Sequence, residues 1–203
     1  MIYDFLVETC RTEIEKTLSV WAMFAGEDLL ERPCVGDRRG RSLLEHMVHQ
    51  CQSENAWFEK MLGIRVRGAV LPPQETLAGF VAAYAAAARE RLLALSARPP
   101  AWWQEEVTFF DQRRSRAWIV VRRIAHTAHH RGQQTALLRA RGTALHSTYG
   151  PTADTGGLGP DGAAVIYPLR DPQALLEGRV DGRMQPLPPP VERPVTERPD
   201  ASG

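Results

Sequence analysis

Apolar residues that return every three or four positions constrain this chain more than any other feature. Leu6, Cys10, Ile14, Leu18, Trp21, Ala25 and Leu29 form such a series, and at 3.6 residues per turn they line one face of a helix of about seven turns. Pro33 and Gly36 end that helix or follow its end. A second helix is expected from Ser42, an N-cap with Glu45 three residues on as a capping box, to Leu62 before Gly63. Its inward stripe is Leu43, Leu44, Met47, Cys51, Phe58, Met61 and Leu62. Pro72 and Pro73 open a third, carrying Leu77, Phe80, Val81, Tyr84, Ala88, Leu92 and Leu95 and closing before Pro99 and Pro100. A fourth runs from a cap at Ser115 to a stop at Gly142, with Ile119, Val120, Ile124, Leu137 and Leu138 facing inward.

Between the third and fourth helices, Trp102 to Phe110 is aromatic and β-prone but too short to define a sheet, so an extended connection packed on the helices is expected. Four long amphipathic helices without a strand pattern between them predict an all-α fold, a four-helix bundle over residues 1–148. After Gly142 the chemistry becomes that of loops. Residues 149–185 are expected to form a loop-rich extension packed on the bundle, with a short strand at 165–169 and a helical turn at 173–177. The proline-rich stretch 186–203 is expected to be disordered.

Within the fourth helix lies Ile124-Ala-His-Thr-Ala-His-His-Arg-Gly-Gln133. At about 100° per residue, His126 and His130 fall within roughly 20° of the line through Ile119 and Leu137, while His129 points roughly 80° away. Two imidazoles one turn apart on an inward face have the geometry to grip one metal ion, and two buried imidazoles without partners are costly. The second helix offers His46 at the edge of the apolar stripe and His49 outside it. Periodicity alone favours His46 as a third ligand, yet at the open end of a bundle His49 can also reach a shared site, so the wheel leaves both open.

The chain has 25 basic and 24 acidic residues, a net charge of +1, so nothing in it demands nucleic acid or a membrane surface as partner. The arginine pairs Arg38-Arg39, Arg113-Arg114 and Arg122-Arg123, with Arg116, are expected on solvated faces. No signal-peptide pattern is present, and no apolar run approaches the roughly 20 residues of a membrane helix. Cys10, Cys34 and Cys51 are odd in number and lack CxxC spacing, which predicts a reducing cytoplasm. Cys51 reads as core filler, Trp57, Trp102, Trp103 and Trp118 as core or rim anchors, and His146 as a surface imidazole. The loop Gly150 to Gly159 lacks the lysine of a P-loop.

The block His-Thr-Ala-His-His-Arg-Gly-Gln, followed by Leu137-Leu138-Arg139 and set after a histidine-bearing second helix, resembles the DinB/YfiT-like family of metal-binding four-helix bundles. The likeness covers approximately residues 1 to 150 and extends through Tyr149 to Gly157. In such bundles one histidine of the second helix and an HxxxH pair of the fourth hold a divalent ion. The resemblance therefore implies His49, His126 and His130 as ligands, the first from His49-Gln-Cys-Gln-Ser-Glu54. This chain departs by carrying Gln50 where an apolar residue is usual and by adding His46, which stays an alternative.

The resemblance further implies zinc or nickel with an open position, and chemistry of thiol S-transferase type in stress response or detoxification, on a low-molecular-weight thiol. A hydrolase using the same ion and a non-enzymatic binding or structural protein are the alternatives. The wide apolar face of the first helix and the alanine-rich third predict a homodimer.

Overall fold

The structure is a computed structural model that describes residues 2–146, together with 148 and 154. The extension expected at 149–185 and the tail at 186–203 otherwise lie outside the described residues. Among the described residues the chain is mostly helical: α1 (Asp4–Trp21), α2 (Leu43–Lys60), α3 (Leu77–Ser96), a short α4 (Pro100–Gln104) and α5 (Arg116–Ala140), with β1 (Glu106–Phe109) and β2 (Gln112–Ser115) between α4 and α5. The four long helices close a ring in which α1 and α2 each pack on both α3 and α5. Leu18, Trp21, Met47, Phe80, Tyr84, Ala88, Ile119 and Leu138 fill the middle with almost no exposed surface. Each large side chain buried there contributes about 1.5–3 kcal/mol.

The helix starts follow their local chemistry. Ser42 Oγ accepts from Glu45 N at 3.2 Å and Glu45 Oε2 accepts from Ser42 N at 3.0 Å, the expected capping box. Ser115 Oγ accepts from Trp118 N at 3.2 Å and opens α5. Gly63 and Gly142, at φ +65° and +76°, take the left-handed conformation that ends α2 and α5 cheaply.

Three boundaries differ from expectation. α1 stops at Trp21, and a 3-10 turn at Gly26–Asp28 follows. Asp28 Oδ2 accepts from Ala25 N, and Leu29 O accepts from Leu44 N at 2.9 Å. The chain must leave the helix early for Leu29 to serve an orphan amide at the start of α2. α3 begins after Thr76, whose Oγ1 accepts from Gly79 N at 3.1 Å; the hydroxyl cap, not the prolines, sets the start. The connection through Trp102 is a short helix followed by an antiparallel hairpin with Phe109 opposite Gln112. Its two-residue turn holds Phe110 at φ +54°, a conformation usually signalled by glycine or asparagine. The alanines Ala85, Ala87 and Ala88 are buried within the chain's own core, so α3's alanine-rich face is used inside the fold.

Candidate metal centre

The capped N-terminal half of α2 carries His46 and His49 across from His126 and His130 of α5. Contacts pair rising numbers on α2 with falling numbers on α5: His46 with His130, His49 with His126, Ser53 with Arg123. The two helices therefore run antiparallel, and the early turns of α2 meet the middle of α5.

Among the described residues, His49, His126 and His130 form a group whose ligating nitrogens all lie within 4.8 Å of one another. Ring centroids are 4.5 Å apart for His126 and His130, 4.6 Å for His49 and His130, and 5.5 Å for His49 and His126. His46 is outside this group, although its ring lies 5.5 Å from that of His130. His130 is 4 % exposed, as is His46; His49 and His126 are half-buried, and His129 is exposed. The inward pair and the outward His129 thus stand where the helical wheel puts them. On α2 the wheel ranked depth correctly, His46 buried and His49 half-buried, but the third member of the group is the off-stripe His49 and not His46, which periodicity alone favoured.

The protonation pattern suits ligation. His130 Nδ1 lies 2.8 Å from Gln133 Oε1, and an amide oxygen only accepts, so the proton sits on Nδ1 and Nε2 is left with a lone pair. That lone pair faces His126 Nε2 at 3.3 Å. Two nitrogens bound at the usual zinc distance in a tetrahedron stand about 3.3 Å apart. His126 Nδ1 is buried without a hydrogen-bond partner, a state that costs about 1–3 kcal/mol for a polar atom.

Burial pushes His130 down to about 3, helped by the neighbouring His126 and His49, and pushes His126 down to about 4, helped by Arg123. Burial and then Arg41 hold His46 down to about 4 and His49 below its ordinary value. The imidazoles are therefore neutral near pH 7, the form that binds a metal. Three neutral imidazoles, two with facing nitrogens at tetrahedral spacing, are a donor set that fits a divalent ion, and Gln133 orients one of them from behind.

Below this group α2 and α5, together with α3, hold a buried polar cluster that sequence reasoning missed. Glu54 accepts from Tyr84 Oη at 3.0 Å and from Arg91 Nη1 at 2.8 Å, and lies 3.6 Å from Arg123 Nη2. Arg91 also reaches Asn55, and Arg123 reaches Ser53. Glu54, Arg91 and Arg123 are each no more than 3 % exposed, so Arg123 is a core residue and its assignment to a solvated face is corrected. Arg116 likewise leaves the solvated set, lying over the Trp102 ring at 4.9 Å with Glu105 as its ion partner. The legible signal was charge on an apolar stripe: Glu54 falls in line with Met47, Cys51 and Phe58, and Arg91 lies among Ala88, Leu92 and Leu95.

Trp57 forms one wall of the site, its ring 5.5 Å from His126, edge-on to Phe109 at 5.2 Å and under the Arg123 guanidinium at 5.6 Å. Cys51 and Cys10 are buried and their thiols are pushed up to about 12, chiefly by desolvation, so neither offers a thiolate to the site. His146, expected at the surface, is 5 % exposed, because the segment after Gly142 folds back against the core where Leu145 is also buried. Gln50 is fully buried with both amide atoms unpartnered; nothing in the structure explains it.

No helix among the described residues is long and apolar enough to cross a membrane. No curated protein and no solved structure matches the chain. The family model described as the DinB family matches residues 6–157, a span that runs from within the first turn of α1 to beyond the end of α5 and contains the three clustered histidines, and the chain belongs to the DinB family.

Proposed function

We propose that this chain is a metal-dependent enzyme built as a four-helix bundle of DinB type, with His49, His126 and His130 as ligands of one zinc or nickel ion. The carrying observation is the convergence of three neutral imidazoles from two helices, with nitrogens within 4.8 Å of one another. A divalent ion bound there supplies Lewis acidity to a thiol or water in its open position, lowering its pKa toward neutrality.

The chain's own residues favour a thiol from outside as the nucleophile. Cys10 and Cys51 are buried with raised pKa values, so neither supplies a thiolate to the site. Trp57 and Phe109 give an apolar wall against which an electrophile can lie, and Gln133 fixes the His130 ring. The reaction class we assign is transfer of a low-molecular-weight thiol to an electrophile, in detoxification or stress response. Hydrolysis by an activated water is the second reading, supported by the same burial of Cys10 and Cys51.

The test is a conjugation assay with bacillithiol, mycothiol or glutathione and an electrophile, run on metal-reconstituted protein. A thiol-dependent rate abolished by a chelator is the expected result; ester or amide cleavage without thiol dependence would support hydrolysis. Absence of stoichiometric metal after reconstitution would leave a non-enzymatic protein whose histidines brace the core. We further propose a homodimer, for which exposed Ile2, Phe5 and Leu93 are available on α1 and α3 or beside them; a concentration-independent monomer mass in light scattering would rule it out.

A further inference from the structure

Beyond His46 and Gln133, toward the start of α2 and the end of α5, a cleft of about 410 Å³ opens. We propose that it binds a small molecule with a carboxylate on an apolar body, held beside the histidine triad. The link to the triad as a reaction centre rests on the function proposed above; the binding itself does not.

Charge is the first argument. The lining includes Arg39 and Arg41 but no aspartate or glutamate. Arg39 is engaged by Asp37 through Nε at 2.9 Å and Nη2 at 2.8 Å, whereas Arg41 has no acid partner among the described residues. One uncommitted guanidinium at the mouth matches a monoanion, and its planar fork matches a carboxylate.

The second argument is an unmet hydrogen bond. His46 lines the cleft, is 4 % exposed, and carries a buried Nδ1 with no hydrogen-bond partner. A buried polar atom of this kind is normally satisfied by protein, water or ligand. Pro33, Ala136, Leu137 and Ala140 make up an apolar part of the lining, and the volume is in the range of small-molecule sites, about 300–1,000 Å³.

Position ties the cleft to the chemistry. Gln133 lines it and also accepts from His130 Nδ1 at 2.8 Å, and the His46 ring is 5.5 Å from that of His130. A molecule seated in the cleft is therefore one side chain away from the triad.

The experiment titrates hexanoate, hexanamide and inorganic phosphate separately into the full metal-free chain at low ionic strength, following the amide and methyl resonances of Gly40, Ala136 and Leu137. Hexanoate should shift these resonances saturably and bind at least about tenfold more tightly than hexanamide, because the charge-assisted hydrogen bonds are lost with the amide. Arg41→Ala should weaken hexanoate about fivefold, the discount for an exposed cation, and Arg41→Lys should recover part of the loss. Equal binding of hexanoate and hexanamide, tighter binding of phosphate, unchanged affinity in Arg41→Ala, or shifts confined to other residues would each overturn the proposal. Without metal, ligation of the carboxylate to an ion cannot produce the signal. His126→Ala should keep hexanoate binding while losing metal binding, so failure of the triad and failure of the cleft are read separately.

Discussion

Two polar clusters share α2 and α5, and they differ in how completely they satisfy themselves. Around Glu54 each charge has a counter-charge: Tyr84 and Arg91 donate to the carboxylate, Arg123 stands 3.6 Å off, and Nη donors of the arginines reach Ser53 and Asn55, although the Nε of each arginine is buried without a partner. Along the same helices, the His130 Nε2 lone pair faces His126 Nε2 at 3.3 Å with no charged group between them, and His126 Nδ1 has no partner. A closed network holds helices together; an open one is made to receive something. The closed cluster also serves the open one, because its two arginines outnumber its single carboxylate and Arg123 helps keep His126 neutral.

That comparison breaks most visibly at Glu54. Glu54→Gln keeps the shape but leaves two buried guanidinium groups without a counter-charge, and removing one partner of a buried pair costs about 3–5 kcal/mol. We expect a loss of that size in denaturant unfolding of the metal-free chain. A cost within about 0.5 kcal/mol, the range of ordinary surface substitutions, would show that the cluster is not what braces α2 against α3 and α5.

The open cluster should respond in the opposite currency, metal affinity before stability. Gln133→Ala removes the acceptor that fixes the His130 tautomer, and loss of such an outer partner typically lowers metal affinity about 10–100-fold. Calorimetric titration reads it, and unchanged affinity would mean that Gln133 does not orient the ring.

Acid sharpens the same contrast. The histidines titrate in the fold at values pushed down to about 3 for His130 and about 4 for His126 and His46, against about 6.5 in the unfolded chain. Between those values the unfolded state binds more protons, so stability falls as pH drops. The metal-free chain should lose melting temperature from about pH 6.5 to about pH 4, and His126→Ala should flatten part of that slope. A flat profile in the parent would mean that the imidazoles are not held neutral by the fold. The smallest effect belongs to His129→Ala, whose exposed ring lies off the inward face: metal affinity should stay within about twofold of the parent, the change worth less than 0.5 kcal/mol.

Much of this was legible in the residues, and the exceptions have physical causes. The capping box at Ser42 and Glu45 and the stop at Gly142 were readable because hydroxyl caps and left-handed glycines act locally. His126 and His130 were readable because a period of 3.6 on one helix fixes which residues share a face. Which of His46 and His49 joins them was not, since that depends on how α5 crosses α2, which no single-helix wheel contains. The early end of α1 was hidden because Leu29 continues the apolar line although it is buried from a separate turn. The hairpin was hidden because the left-handed position of its turn is held by Phe110, where glycine or asparagine is usual, and Asp111 alone is a weak signal. Arg123 was misread because a charged residue is exposed by default, and only the fold reveals that Glu54 waits opposite it.

The central claim, that His49, His126 and His130 hold one divalent ion, is tested most directly by titrating zinc, and then nickel, into full-length protein carrying no affinity histidine tag, alongside single alanine variants. The parent should bind one ion per chain and gain melting temperature as it does so. His49→Ala, His126→Ala and His130→Ala should each lose that binding, and His46→Ala should keep it. Parent-like affinity in His126→Ala and His130→Ala would contradict the account, and so would loss of binding in His46→Ala with retention in His49→Ala.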